Sequence, residues 1–178
     1  AGIIAVDLNE NDFLVGAAIT DGQHDVMLFS DAGKAVRFDE NDVRPMGRTA
    51  RGVRGMNLGA GHQVIAMLVA PAEAAEGAEA AVVDENGLAI PSSVLTATEN
   101  GFGKRTPIGE YTRHGRGTKG MIAIQTTERN GKVVAASLVS PEDQIMLITT
   151  GGILVRTRVS EIREMGRATQ GVTLINVD

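Results

Sequence analysis

The chain has 178 residues, with 17 Lys+Arg against 22 Asp+Glu for a formal charge of −5, no Cys, no Trp, 1 Tyr and 22 Gly. Its 43% hydrophobic content supplies an aliphatic core for one domain or part of a larger one, and 22% charged residues is the share of a globular chain, not a disordered one. The lack of cysteine excludes a disulfide scaffold, a zinc knuckle, an iron–sulfur cluster and a thiol nucleophile, in keeping with a reducing cytosol, and no run approaches the roughly 18 apolar residues of a membrane span.

The chain opens without Met on Ala1-Gly2-Ile3-Ile4, strand-like residues without the basic flank of a signal peptide, and reads as a piece of a longer protein. Short or alternating β-branched runs follow at Val26 to Ser30, Gln63 to Ala70, Val94 to Thr98, Lys132 to Val139 and Gln144 to Thr149. Asp21-Gly22, Asn86-Gly87, Asn100-Gly101, Asn130-Gly131 and Gly151-Gly152 punctuate them with residues that tolerate the positive φ of tight hairpins. No ten-residue stretch competes as a helix.

Laid against itself, the chain shows recurring columns: Gly33/Gly101/Gly152, Arg37/Arg105/Arg156, Gly47/Gly115/Gly166, Arg48/Arg116/Arg167 and Gly52/Gly120/Gly171. The text recurs with them, as MGRTARGV, HGRGTKGM and MGRATQGV, and Gly2 stands 50 residues before Gly52, so the period is about 50 residues. Residues 1–24 are then the tail of one unit, 25–70 a blade, 93–140 a second blade and 144–178 the start of a third. Residues 71–92, with the Ala/Glu-rich AEAAEGAEAA, are an insertion expected to form a surface loop. Each unit has room for about four short antiparallel strands, which predicts an all-β, propeller-like partial array whose blades bury faces against their neighbours.

The charge distribution reverses the impression left by the negative total. Fourteen of the 17 basic residues fall in the windows 36–54, 104–119 and 156–167, which carry a net +8, whereas residues 72–85 hold five acids and no base. Stacked repeats would align these windows along one rim, the footprint of a protein that follows a phosphate backbone. The glycines of the windows are read first as turn residues, and the Arg37/Arg105/Arg156 column also suits an exposed hairpin face. The Arg48/Arg116/Arg167 column, with Arg51 and Lys119, is read as phosphate contact. Gln170 replaces the third basic residue of the Arg51/Lys119 column.

These segments resemble a known family, the C-terminal domain of bacterial DNA gyrase A. The match rests on DVMLFSDAGKAVRF, VRPMGRTARGVRGMNL, LTATENGFGKRT, RGTKGMIAI, TERNGKVVAA, QIMLIT and LVRTRVSEI, the last followed by MGRATQGV. The resemblance implies a β-pinwheel of ~50-residue blades held together by strands exchanged between neighbours, with duplex DNA wrapped around a basic rim. It also implies a bacterial, chromosome-associated cytoplasmic protein whose partners are the rest of gyrase A and the gyrase B protein, with ATP and Mg bound elsewhere in the holoenzyme and no cofactor here. The related C-terminal domain of topoisomerase IV and a propeller-like scaffold for an acidic protein are the alternatives. Unpaired end strands leave self-association open. The residues expected on DNA are Arg37, Arg48, Arg51, Lys104, Arg105, Arg116, Lys119, Arg156, Arg158 and Arg167.

Catalytic features fail on inspection. Tyr111 shares a column with Val43 and Ile162 and is expected in the core. His24, His62 and His114 lack ligand spacing to one another, so no metal site is expected. NGFGKRT lacks the first Gly of a phosphate loop, where Thr98 stands, and has Arg105 where Ser or Thr is needed. No GxSxG occurs and no pair of carboxylates recurs.

Overall fold

A computed structural model describes residues 1–72, 86, 87 and 91–177. The strands within these are β1 (His24–Ser30), β2 (Lys34–Asp39), β3 (Val64–Pro71), β4 (Ser93–Thr98), β5 (Phe102–Pro107), β6 (Met121–Ile122), β7 (Val133–Val139), β8 (Gln144–Ile148), β9 (Leu154–Arg158) and β10 (Val172–Thr173). Single 3-10 turns follow the second strand of each hairpin, at Glu40–Asp42, Ile108–Glu110 and Val159–Glu161. The insertion expected at 71–92 falls largely outside the described residues. Residues 1–23 form no strand.

Two antiparallel four-stranded sheets result, in the orders β3-β1-β2-β6 and β10-β5-β4-β7, beside a two-stranded sheet β8-β9. Three strands of each larger sheet come from one unit. The fourth arrives from the next: β6 pairs with β2 through Ala35 and Met121, and β10 pairs with β5 through Gly103 and Val172. This is the strand exchange that the family resemblance implied. The hairpins turn at Gly33 and Gly101, whose φ values of +78° and +85° suit glycine at the left-handed position of a three-residue loop. The same glycines receive the exchanged chain, because Gly33 O accepts Ala123 N–H at 2.8 Å and Gly101 O accepts Leu174 N–H at 2.7 Å.

Alternation along β1 turns Asp25, Met27 and Phe29 inward. Met27, Phe29, Ala35 and Ala70 from the first sheet meet Val94, Tyr111 and Ala123 from the second unit in one core cluster, so the main core lies between blades. Leu95, Val139, Val159 and Ile162 form the corresponding cluster at the next junction. In β8 and β9 exposure alternates residue by residue, and Met146, Ile148 and Leu154 are largely open because the described chain supplies no third strand to that hairpin.

Tyr111 is fully buried, and its ring meets Phe29 edge-on with centroids 5.8 Å apart. Burial pushes its phenol well above the ordinary range, and its hydroxyl has no hydrogen-bond partner among the described residues. A buried hydroxyl without a partner is a cost that phenylalanine removes. Tyr111→Phe is therefore expected to leave stability unchanged or raise it by up to about 1 kcal/mol, read from the denaturation midpoint. A marked loss would show that the hydroxyl is paired.

Candidate nucleic-acid interface

After its 3-10 turn each hairpin runs into an irregular basic loop, and each loop lies against the one before it. Asn57 N–H donates to Thr118 O at 2.8 Å and Gln125 N–H to Thr169 O at 2.9 Å, and Asp7 N–H donates to Ala50 O at 3.2 Å, the same contact shifted by one unit each time. The loops around Arg48, Arg116 and Arg167 are thus stacked in chain order, as the rim expectation required.

The Arg48/Arg116/Arg167 column holds this stack together. Arg116 donates through Nε to Asp42 O at 3.0 Å and through NH1 to Arg54 O at 3.2 Å. Arg167 repeats both bonds, to Glu110 O at 2.7 Å and Ile122 O at 2.8 Å. Arg48 makes the second of them, to Ile4 O at 3.3 Å. A guanidinium with five donors can satisfy two carbonyls and keep N–H groups for solvent or a ligand. These arginines are staples between neighbouring units first, whatever else they touch.

Three residues expected on DNA are withdrawn from the surface. Arg37 is 2% exposed, and its Nε donates to the fully buried Asp25 at 2.7 Å. Its NH1 donates to Ile108 O and Tyr111 O and its NH2 to Pro71 O, each at 3.1 Å. Arg113 completes the cluster from the second unit, with NH2 2.6 Å from Asp25 Oδ1. The reason is geometric: Arg37 stands opposite Met27 on the inward face of β1 and β2, diagonal to Asp25. Arg105 takes the same course at the next junction, donating through Nε to Ile162 O at 2.7 Å. It is an interior link, not a surface contact.

Lys104 stands where Val36 and Val155 stand in the other units, fully buried. Its Nζ donates to Gly166 O and Arg167 O, each at 2.6 Å, to Thr169 O at 3.2 Å and to Thr169 Oγ1 at 3.0 Å. It anchors the next unit's loop from within. Burial lowers its pKa to about 8, with Glu110 opposing the shift and Arg167 adding to it. A base less basic in the fold than in the unfolded chain leaves the unfolded chain with more bound proton between the two values. The Lys104 contribution to stability is therefore flat below about pH 8 and rises toward the unfolded value of 10.5. Unfolding curves for the native chain and Lys104→Met across that window should diverge in favour of the native chain; parallel curves would contradict the shift.

Of the remaining expected residues, Lys119, Arg156 and Arg158 are exposed. Arg51 is 69% exposed and bonds Asp7 at 3.0 Å. Arg44, Arg54 and Arg163 are exposed on the same loops and were missed, although they lie inside the basic windows. The structure also separates two glycine columns. Gly120 and Gly171 have φ of +84° and +80°, and their added Cβ atoms would meet Ala35 O at 2.4 Å and Gly103 O at 2.6 Å, so the exchanged strand demands them. Gly47 and Gly115 have open space around the missing Cβ and no left-handed backbone, so turn geometry does not require them.

His24 Nδ1 lies 2.7 Å from Asp21 Oδ1 and 3.9 Å from Glu40 Oε2, a His–acid grouping that spacing among histidines did not reveal. Its acceptors are engaged: Glu40 takes Gly22 N–H and His24 N–H, and Asp21 takes Gln23 N–H. The Gln23 N–H and then the His24 ring hold the Asp21 carboxyl below its usual range. The group caps the start of β1. No helix among the described residues is long and apolar enough to cross a membrane.

Residues 1–21, 24–71, 92–140 and 143–178 match the family described as DNA gyrase C-terminal domain, beta-propeller. The chain is 52% identical over 177 residues to the DNA gyrase A protein of Pseudomonas aeruginosa, covering 99% of this chain and 17% of that protein. It is 49% identical over 175 residues to the Escherichia coli counterpart, covering 98% of this chain and 18% of that protein. The chain thus spans under a fifth of the length of these relatives. Its fold superposes on a solved DNA gyrase A C-terminal domain with a TM-score of 0.82 at 29% identity, over 99% of this chain and 55% of the other. A topoisomerase IV C-terminal domain superposes with a TM-score of 0.81 at 23% identity, over 97% and 48%, and shares the fold.

Proposed function

Since the chain belongs to the DNA gyrase C-terminal domain family, we propose that it is a duplex-DNA-binding module that bends DNA around its stacked basic loops. The observation that supports this reading is the repeated loop-on-loop hydrogen bonding at Asp7, Asn57 and Gln125, which sets cationic loops side by side at the spacing of the blades. Contact is to the phosphate backbone, with little base readout, because the recurring groups are cations and backbone N–H donors. Bending 20 to 30 base pairs through tens of degrees costs on the order of 1–6 kcal/mol, so contacts on successive units are needed to offset it.

Within a gyrase, alongside the rest of gyrase A and the gyrase B protein in the bacterial cytoplasm, such wrapping would present DNA for ATP-dependent negative supercoiling. This chain then acts without an active site or cofactor of its own. The surface contacts are Arg51, Lys119, Arg156 and Arg158, with Arg48, Arg116 and Arg167 contributing the N–H groups their carbonyl bonds leave over. Arg37, Lys104 and Arg105 act from the interior.

Duplex affinity measured by fluorescence anisotropy against salt tests this. Lys119→Ala and Arg158→Ala should each weaken every duplex sequence alike and lower the salt slope by about 1. A change in sequence preference would contradict backbone readout. No binding at physiological salt would favour a scaffold for an acidic protein.

A further inference from the structure

The two junctions between units differ in one respect. At the second, the Lys104 amine rises from β5 and fills the space under the loop, on the carbonyls of Gly166 and Arg167 and the hydroxyl of Thr169. At the first, Val36 occupies the Lys104 column, and a cavity of about 280 Å³ opens there, lined by Val36, Arg37, His114, Thr118, Lys119 and Met121 among others. That volume is several times the roughly 30 Å³ of one water molecule.

The polar side chains that line this cavity can each donate a hydrogen bond. His114 is fixed by its own N–H on Arg37 O at 2.8 Å. The Arg37 guanidinium is turned away to Asp25 and three carbonyls. The Lys119 amine, the His114 ring and the Thr118 hydroxyl make no hydrogen bond or ion pair among the described residues, and no carboxylate lines the cavity. In the third loop the same columns hold Met165, Thr169 and Gln170, with Thr169 taken by Lys104. In the first they hold Met46, Ala50 and Arg51, with Arg51 paired to Asp7. The middle loop alone, among the described residues, presents an open cavity with an unpaired amine, a ring nitrogen and a hydroxyl together.

We infer that this cavity is a phosphate subsite, which seats one phosphodiester group of duplex DNA. Lys119 supplies the charge, and His114 and Thr118 supply directional hydrogen bonds to its oxygens. The inference rests on the DNA-binding reading and deepens it, because it makes the contact strongest at the first junction and not equal on every blade.

The test uses the protein at its full natural length and a linear duplex oligonucleotide. Lys119→Ala should lower affinity on the order of tenfold at low salt and reduce the salt slope by about 1. His114→Ala should lower affinity several-fold, through the loss of its hydrogen bond to the phosphate. Gln170→Ala, the same column one unit on, should bind like the native protein. Lys119 and His114 are exposed, whereas Gln170 is half-buried and its Oε1 accepts the Thr127 hydroxyl at 3.3 Å, so matched melting curves will verify the fold of all three variants. If the native protein binds duplex with the usual salt dependence but Lys119→Ala and His114→Ala bind as well as it does, the subsite is overturned and the DNA-binding reading stands. If the native protein binds no duplex, both fall. The His114 ring resonances should shift with duplex and not with inorganic phosphate at matched phosphate concentration; a shift with phosphate alone would overturn the assignment to DNA.

Discussion

Gly33→Ala is expected to destabilise the chain by about 3 kcal/mol or more, among the largest effects of any single methyl group added to it. Two costs combine. The backbone at Gly33 has φ of +78°, where an L side chain costs roughly 1–2 kcal/mol. The added Cβ would also stand 2.2 Å from Ile124 O, a backbone atom that cannot rotate aside. That carbonyl belongs to the exchanged segment whose Ala123 and Ile124 N–H groups donate to Gly33 O, so relief requires the exchanged strand to move off the blade. Gly152→Ala is the internal control. It stands in the same column at φ +84° with nothing within 4 Å of the added Cβ, and should lose only the backbone cost of roughly 1–2 kcal/mol. Denaturant midpoints for the two variants, with hydrogen exchange at Ala123 and Ile124, give the comparison. Equal losses would mean that the exchanged strand does not depend on the close approach.

Asp25→Ala is expected to cost about 3–5 kcal/mol, because it leaves the Arg37 guanidinium buried at 2% exposure without its counter-charge. The second arginine on Asp25, Arg113, is about one-third exposed and can turn toward solvent. Arg37 cannot. Combining Asp25→Ala with Arg37→Met should recover most of the loss, since a buried pair replaced by apolar side chains is often near neutral. The second junction supports this, for there Ser93 stands in the Asp25 column and the core closes without a buried acid. If the double variant were as unstable as the single one, the damage would lie in packing and not in the stranded charge.

The repeat columns made the junctions legible because strand exchange works through backbone atoms, which impose the same glycines at both junctions where an exchanged strand is described. Gly33/Gly101 and Gly120/Gly171 recur for that reason. The Arg48/Arg116/Arg167 column was equally visible, but its chemistry was not. Phosphate and carbonyl oxygens both suit a guanidinium, and the carbonyls that Arg116 and Arg167 reach are 45 to 74 residues away. Asp25 escaped notice because its column reads Ser93 and Gln144 elsewhere. A lone acid in the apolar run HDVMLFS, diagonal across a hairpin from a lone arginine, was the available signal. Lys104 misled because lysine is seldom fully buried. Its register opposite Thr96 on the second blade, not its residue type, decides where it points.

Ligase closure of nicked circular DNA in the presence of the protein, followed by separation of topoisomers at several salt concentrations, tests the wrapping claim most directly. Loops stacked blade on blade along one rim should trap a handed bend, giving a shift of linking number in the positive sense that fades as salt releases the phosphate contacts. Binding with no shift at any salt would contradict wrapping by this array.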